Sequence, residues 1–266
     1  MSKAVISLTP FDLSLAALLL LLLAGLTILL QLGLWRNLFI AGLRMTIQLS
    51  LIGFVLKWIF AQASFLFISI MAVLMLLAAG REAARRQKRR FTGMWGFSFG
   101  ALAMFLSSFT ITALALVFVI NNEPWYLPQY SIPMLGMMLG NTMNGISLGL
   151  DRLTTIAWQQ RAIIENRLML GQTWSQAIND IRRDSIRSGL IPIVNAMSIA
   201  GLVSLPGMMT GQILAGAPPL EAVKYQILIM FMIASGTGFG CLAAVFFASR
   251  RLFDERERLR LDRLAE

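Results

Sequence analysis

Long apolar runs dominate this sequence and decide what it can fold into. Residues 13–34 contain a leucine-rich run without a single charge, and about 20 such residues form a helix that can cross a bilayer core. Only 14% of the chain is charged, against about a quarter in soluble domains. We therefore predict an all-α, polytopic membrane protein and exclude a soluble enzyme.

Seven segments are predicted to span the membrane. They cover residues 13–34, 38–60, 64–80, 94–120, 132–150, 190–210 and 223–249. The third is the shortest, and the whole chain, 1–266, is predicted as one transmembrane domain. The polar stretch 151–189 is predicted as a cytoplasmic segment within it.

The positive charges predict the orientation. Six Lys or Arg lie in 81–90, six in 151–190 and six in 249–266, and with Arg36 they make up nineteen of the 23. Seven alternating spans place all nineteen on one side, whereas Lys3, Lys57 and Lys224 fall on the other. The positive-inside rule then puts the N-terminus outside and the C-terminus in the cytoplasm. The net charge of +10 is thus explained without a nucleic-acid partner.

The residue types that the chain lacks exclude several kinds of functional site. The chain has no histidine and one cysteine, Cys241, so neither a Ser-His-Asp triad nor an intrachain disulfide is available. It also lacks the Gly-x-x-x-x-Gly-Lys-Ser/Thr loop that cradles nucleotide phosphates. If ATP drives this protein, another chain must bind the nucleotide and its Mg²⁺.

The cytoplasmic segment 151–189 is predicted to form two helices. The fifth span should continue as one helix to Gly171, because glycine accepts the left-handed conformation at a helix end. Thr173 and the following residues to Gln176 resemble a capping box that starts a second helix. Trp174, Ile178 and Ile181 should share one face of it. That face could dock on a partner or lie on lipid headgroups.

Two polar residues in the second span are candidates for a transport path. Arg44 lies inside the span, where a charge is costly unless it is solvated or paired, and Gln48 is one turn further along. The alternative is structural, either a pair between Arg44 and Asp151 or an arginine that snorkels to the interface.

The fifth span carries a predicted polar stripe. Met137, Asn141, Asn144 and Asp151 fall on one face, and small-residue pairs Gly136–Gly140 and Gly145–Gly149 lie on neighbouring faces. Glycine pairs favour close helix packing. The stripe could therefore line a water-filled path or pack against a partner helix.

The sixth span should break near its centre. Pro206 removes a backbone donor between Leu205 and Gly207, and broken backbone at membrane depth must face protein or water. This stretch is a candidate gate. Met208 and Met209 could offer soft thioether ligands there, although most methionines simply fill gaps between helices, and no metal site is assigned.

A family resemblance enters at the cytoplasmic segment. Residues Glu165 to Gly171 resemble the Glu-Ala-Ala…Gly signature of ATP-binding-cassette (ABC) permeases, although Arg183 and Asp184 stand where that signature has Leu-Pro. The resemblance implies a coupling role for the residues around it, namely Glu165, Arg167, Gly171, Thr173, Trp174, Ile178 and Ile181.

Further motifs resemble the FetB-like family of ABC permeases over about residues 36–250. They are Arg44 to Leu49, Ile132 to Met143, Gly201 to Gly211 and Lys224 to Gln226. The resemblance implies a permease of the bacterial inner membrane, surrounded by lipid, that exports metal ions, with iron suggested. It also implies a homodimer and a separate ATPase subunit that binds ATP and Mg²⁺. Plant relatives are linked to aluminium tolerance.

A different class of function stays open from the residues alone. A secondary transporter or channel would work without an ATPase, but it usually needs an acidic residue or histidine within its spans. We find none there.

Overall fold

The structure is a computed structural model that describes residues 9–62 and 64–265, and it is helical along almost all of that length. Lys3, which the charge argument places outside, lies outside the described residues. The helices are α1 (Pro10–Leu29), α2 (Trp35–Gln62), α3 (Phe65–Arg85), α4 (Trp95–Ile120), α5 (Pro128–Gln159), α6 (Arg161–Met169), α7 (Trp174–Ala177), α8 (Asn179–Ile199), α9 (Gly207–Leu214) and α10 (Pro219–Arg251).

Five of the described helices, α1, α2, α3, α4 and α10, are long and apolar enough to cross a membrane. The predicted spans 132–150 and 190–210 fall in α5 and in α8 with α9, which are less apolar. Helix α5 can be less apolar because α3, α8 and α10 cover much of its surface, so that little of it would face lipid. The all-helical class is confirmed, while the count of seven spans and the orientation stay predictions.

One compact unit comprises Met1–Ser64 and Leu214–Ala217. In it, Thr9 caps α1 by accepting from the Asp12 backbone N–H, and a turn with Gly33 at φ +67° leads to α2. The two helices touch where Leu20 of α1 meets Gly42 of α2. Most of their leucines are exposed, as expected for helices surrounded by lipid.

The second unit comprises Phe65–Ile213 and Pro218–Glu266. Its centre is a close approach of α5 to α8 and α10. A Cβ built on Gly145 would lie 3.0 Å from the Gly189 carbonyl oxygen, and one on Gly149 would lie 2.9 Å from Cys241 Sγ. Small residues allow this approach, as predicted for the Gly145–Gly149 pair. Gly136 instead faces Met75 of α3, and Gly140 faces open space.

Helix α4 departs from regular α-helical geometry twice. Phe105–Phe109 and Ala115–Ile120 are π-helical, a form that is rare and concentrated at functional sites. The first π segment places Ser107 and Ser108 towards the centre of the unit, where both are buried.

Helix α5 does not continue to Gly171 as predicted. It ends at Gln159, Gln160 leaves helical geometry at φ −102° and ψ 24°, and α6 begins at Arg161. Ile164 of α6 is fully buried in the core formed with Leu153 and Ile178. No Gly or Pro between residues 151 and 170 signals the break at Gln160.

The glycine contact gives a direct stability test. We expect Gly189→Ala to lower the thermal unfolding temperature of the purified protein, because the new Cβ would lie 2.6 Å from the Gly145 carbonyl oxygen. Overpacking of this kind costs about 1–3 kcal/mol. Gly238→Ala is the control, since its Cβ would meet only Leu190 at 3.9 Å. Equal unfolding temperatures for both variants would contradict the packing assignment.

Candidate functional site

The predicted break in the sixth span is present and longer than expected. Helix α8 ends at Ile199, Gly201 takes a left-handed φ of +82°, and α9 begins only at Gly207. The Gly201 backbone N–H donates to the Ser204 carbonyl at 2.9 Å. The Pro206 carbonyl accepts from the Thr210 N–H at 3.1 Å, which starts the next helix. Leu205 is 59% exposed.

A cavity of about 420 Å³ lies beside this break. Its walls come from the end of α8, the break, α9 and the first third of α10. They include three methionines, one from each helix: Met197, Met209 and Met230. Met208, the neighbour of Met209, instead packs in the apolar cluster around Ile193 and Ile229. The break thus separates the two methionines that the sequence had grouped as candidate ligands.

Gln226 is the buried polar residue of this cavity. It lines the wall and is only 8% exposed. Its Oε1 accepts no hydrogen bond from any residue that the structure describes. A buried polar atom left unpaired costs about 1–3 kcal/mol. The sequence carried no signal for this residue beyond its place in a family motif.

The polar stripe on α5 lies on one face, as predicted. Asn141 and Asn144 are exposed, and Met137 is half-buried. Asn141 Nδ2 donates to the Met137 carbonyl at 2.9 Å, and Arg86 Nη1 donates to Asn144 Oδ1 at 2.6 Å. The exposed amides would meet water or another protein surface, so the role of the stripe in a path stays a prediction.

Arg44 and Gln48 lie one turn apart on α2, in the first unit, and both are exposed. No hydrogen bond or ion pair links Arg44 to any other described residue. Asp151, the partner considered from sequence, accepts from the Lys88 backbone N–H at 2.7 Å. Whether Arg44 lines a path stays a prediction.

Sequence reasoning missed a layer of buried hydroxyl groups inside the second unit. Ser108 Oγ donates to Thr142 Oγ1 at 3.2 Å, and both side chains are fully buried. Thr112 and Thr237 lie nearby, each with a hydroxyl that has no partner among residues 9–62 and 64–265. A cluster of Ser and Thr in the fourth predicted span was the available signal.

The segment 151–189 contains the predicted turn and cap. Gly171 has a φ of +83° with nothing near its missing Cβ, and Thr173 forms a capping box with Gln176. The second helix is split, because α7 ends at Ala177 and α8 begins at Asn179. Arg167 of α6 joins the parts by donating to the Ala177 carbonyl at 3.1 Å and to Asp180 at 2.9 Å.

The apolar face predicted for docking points into the protein. Ile178 is fully buried and Ile181 is 5% exposed, both in the main core cluster. Trp174 packs on Phe253 at a ring distance of 6.0 Å, with the Arg250 guanidinium over its ring. The side chains of these residues therefore pack beneath the exposed surface of the segment.

The surface itself is formed by residues that the sequence did not single out. Met169 and Leu170, just before Gly171, are 77% and 83% exposed. Glu165 is also exposed and borders an open cleft of about 670 Å³ between α6 and the C-terminal residues. Two apolar side chains at the tip of a polar segment are typical of an interaction surface.

The C-terminal residues fold back onto this segment. Glu257 Oε2 accepts from the Trp174 backbone N–H at 3.2 Å, which satisfies a free donor at the start of α7. The Arg258 backbone N–H donates to Asp254 and, with the Arg258 side chain, holds the pKa of that carboxyl below its ordinary value. This stabilisation is complete above the ordinary pKa and is lost as the pH falls through the lowered one.

The family model described as "Uncharacterised protein family (UPF0014)" matches residues 10–253. The chain belongs to this family. A UPF0014 membrane protein of Synechocystis is 41% identical over 223 residues, which cover 82% of this chain and 84% of the relative. No solved structure matches the chain.

Two further relatives of this UPF0014 chain carry functional names. The "Probable iron export permease protein FetB" of Escherichia coli is 34% identical over 220 residues, 81% of each chain. The "Protein ALUMINUM SENSITIVE 3" of Arabidopsis thaliana is 33% identical over 217 residues, 81% of this chain and 77% of the relative. The predicted resemblance is confirmed, and the chain is a multi-pass membrane protein of a family that contains a named permease.

The Arg167 contacts predict a local effect in the segment 151–189. We expect Arg167→Met to raise amide hydrogen exchange in residues 161–181, because the Ala177 carbonyl and Asp180 lose their donor; one such bond contributes about 1 kcal/mol. The control is Arg187→Met, at an exposed position. Hydrogen exchange is measured by mass spectrometry. Equal exchange rates in the two variants would contradict this role of Arg167.

Proposed function

We propose that this chain is the permease subunit of an ATP-driven exporter of metal ions. It works as a homodimer with a separate ABC-type ATPase that binds ATP and Mg²⁺. The name of the Escherichia coli relative supports both the permease role and metal export. The absence of a phosphate-binding loop from the sequence supports a nucleotide site in another chain.

One observation carries the proposal: α8 connects the exposed turn to the cavity. Its first residues, after Ile178, are tied to α6 by Arg167, and its last turn holds Met197 at the cavity wall. The helix has 21 residues and is therefore about 30 Å long. The helix contains Pro192 in its interior, where a backbone hydrogen bond is missing. In the proposal, a movement of the turn at Met169 and Leu170 is transmitted along this helix to the break.

The buried face of the segment suits this transmission. Ile178 and Ile181 fix the start of α8 in the main core, and Glu257 holds the start of α7. A surface whose underlying side chains are closely packed moves as one rigid body when a partner binds to it. In the proposal, ATP binding draws two such surfaces together, and α8 then changes access to the cavity.

The coupling role is tested at Leu170. We expect Leu170→Asp to reduce the stimulation of ATP hydrolysis by at least tenfold, because a charge replaces an exposed apolar contact with the ATPase. The measurement uses the permease reconstituted in liposomes with an ABC-type ATPase that co-purifies with it. Leu170→Met is the matched control and should retain stimulation. Full stimulation by Leu170→Asp, or transport by the permease without any ATPase, would overturn the proposal.

The orientation has its own test by cysteine labelling. In a Cys241→Ala background, Gln172→Cys should react with a membrane-impermeant maleimide only from the cytoplasmic side. Glu123→Cys, in the loop between α4 and α5, should react only from the outside; both positions are exposed. Labelling of the two cysteines from the same side would contradict the proposed topology.

A further inference from the structure

We infer that the cavity beside the α8–α9 break binds a soft monovalent metal ion, Cu(I) or its analogue Ag(I), as cargo. The donors are the thioethers of Met197, Met209 and Met230 and the amide oxygen of Gln226. This inference rests on the proposed transport function and names the class of ion that the site accepts.

The first argument is that methionines from three different helices line one cavity. Met197 ends α8, Met209 lies in α9 and Met230 lies in α10, and all three line one cavity of about 420 Å³. Gap-filling methionines are usually buried in an apolar core, as Met232 and Met138 are here. Met197, Met209 and Met230 instead line the cavity, and Met230 also packs against the apolar cluster around Ile229. Thioether sulfur is a soft, neutral donor that selects Cu(I) over hard ions.

The second argument is the unpaired oxygen of Gln226. The residue is more than nine-tenths buried, and its Oε1 accepts no hydrogen bond from the described part of the chain. Buried polar atoms without a partner are uncommon in folded proteins and require an explanation. The oxygen lies below the cavity surface, and rotation of the Gln226 side chain would turn it towards a cation in the cavity and remove the penalty.

The third argument concerns charge. No Asp, Glu, Lys or Arg is among the residues that line the cavity, and no group of three acidic or thiol ligands occurs among the described residues. A divalent or trivalent ion would therefore bring two or three charges into an apolar wall without compensation. A monovalent ion brings one, and polarisable sulfur can share it. The chemistry thus disfavours hard Fe³⁺ and Al³⁺ at this position.

The position of the donors also provides a way to release the ion. Met197 and Met209 lie on opposite sides of the break, which contains Gly201 and Pro206. A movement of α8 against α9 changes the separation of the two sulfurs without unfolding either helix. Coupling through α8 can therefore alternate the site between binding and release.

The experiment measures Ag(I) binding to the full-length permease in lipid nanodiscs, by equilibrium dialysis and metal analysis. Ag(I) is used because it does not change oxidation state. All variants carry Cys241→Ala, which removes the chain's one thiol. We expect one saturable site per chain. Met209→Leu and Met230→Leu should each weaken binding at least tenfold, and Gln226→Leu should weaken it severalfold.

The control is Met232→Leu, which lies on the same helix as Met230 but does not line the cavity; its affinity should be unchanged. Absence of Ag(I) binding, unchanged affinity in both methionine variants, or displacement of Ag(I) by equimolar Fe²⁺ would each overturn the inference. ATPase stimulation is measured on the same samples. If ATPase stimulation is retained without Ag(I) binding, the transport proposal still stands. If stimulation is lost while Ag(I) binding is intact, the result counts against the transport proposal alone.

Discussion

Close backbone contact among α5, α8 and α10 is the constraint on which the second unit depends. Apolar side chains gain little by leaving lipid for another apolar surface, so helices in a membrane associate through tight van der Waals packing. Gly145, Gly149 and Gly189 permit that packing, and the Cys241 thiol fills the remaining space and donates to the Gly145 carbonyl at 3.8 Å. Because these contacts fix α8 beside α5, both ends of α8 have defined positions.

The two ends of α8 lie near the exposed turn and the cavity, the two features on which the proposed function rests. At one end, the turn with Met169, Leu170 and Gly171 is exposed, while Ile178 and Ile181 are packed beneath it. At the other end, the helix stops at Ile199 and the cavity with Gln226 begins. Helix α8, which contains Pro192, thus runs between the exposed turn and the methionine-lined cavity, as the proposed coupling of a partner to a cargo site requires. The hydroxyl layer around Thr142 lies beside the same glycine contacts.

Local signals in the sequence predicted a good part of this arrangement. The Thr173 capping box, the left-handed Gly171 and the break at Pro206 were all correct, because each follows from the conformational limits of one or two residues. The termination of α5 at Gln159 was missed, because no Gly or Pro marks it in the sequence. The docking face was assigned to Trp174, Ile178 and Ile181, but helical spacing shows only that such residues share a face. It does not show what that face meets.

The sequence by itself determined that the chain is a multi-pass, all-helical membrane protein of this family, because long apolar runs have one stable solution in a bilayer and the motifs match along most of the chain. Only the tertiary structure decided which polar and sulfur-bearing side chains come together. Met197, Met209, Gln226 and Met230 are separated along the chain and meet because α8, α9 and α10 converge at the break. Such long-range proximity depends on how helices pack, which no local pattern encodes.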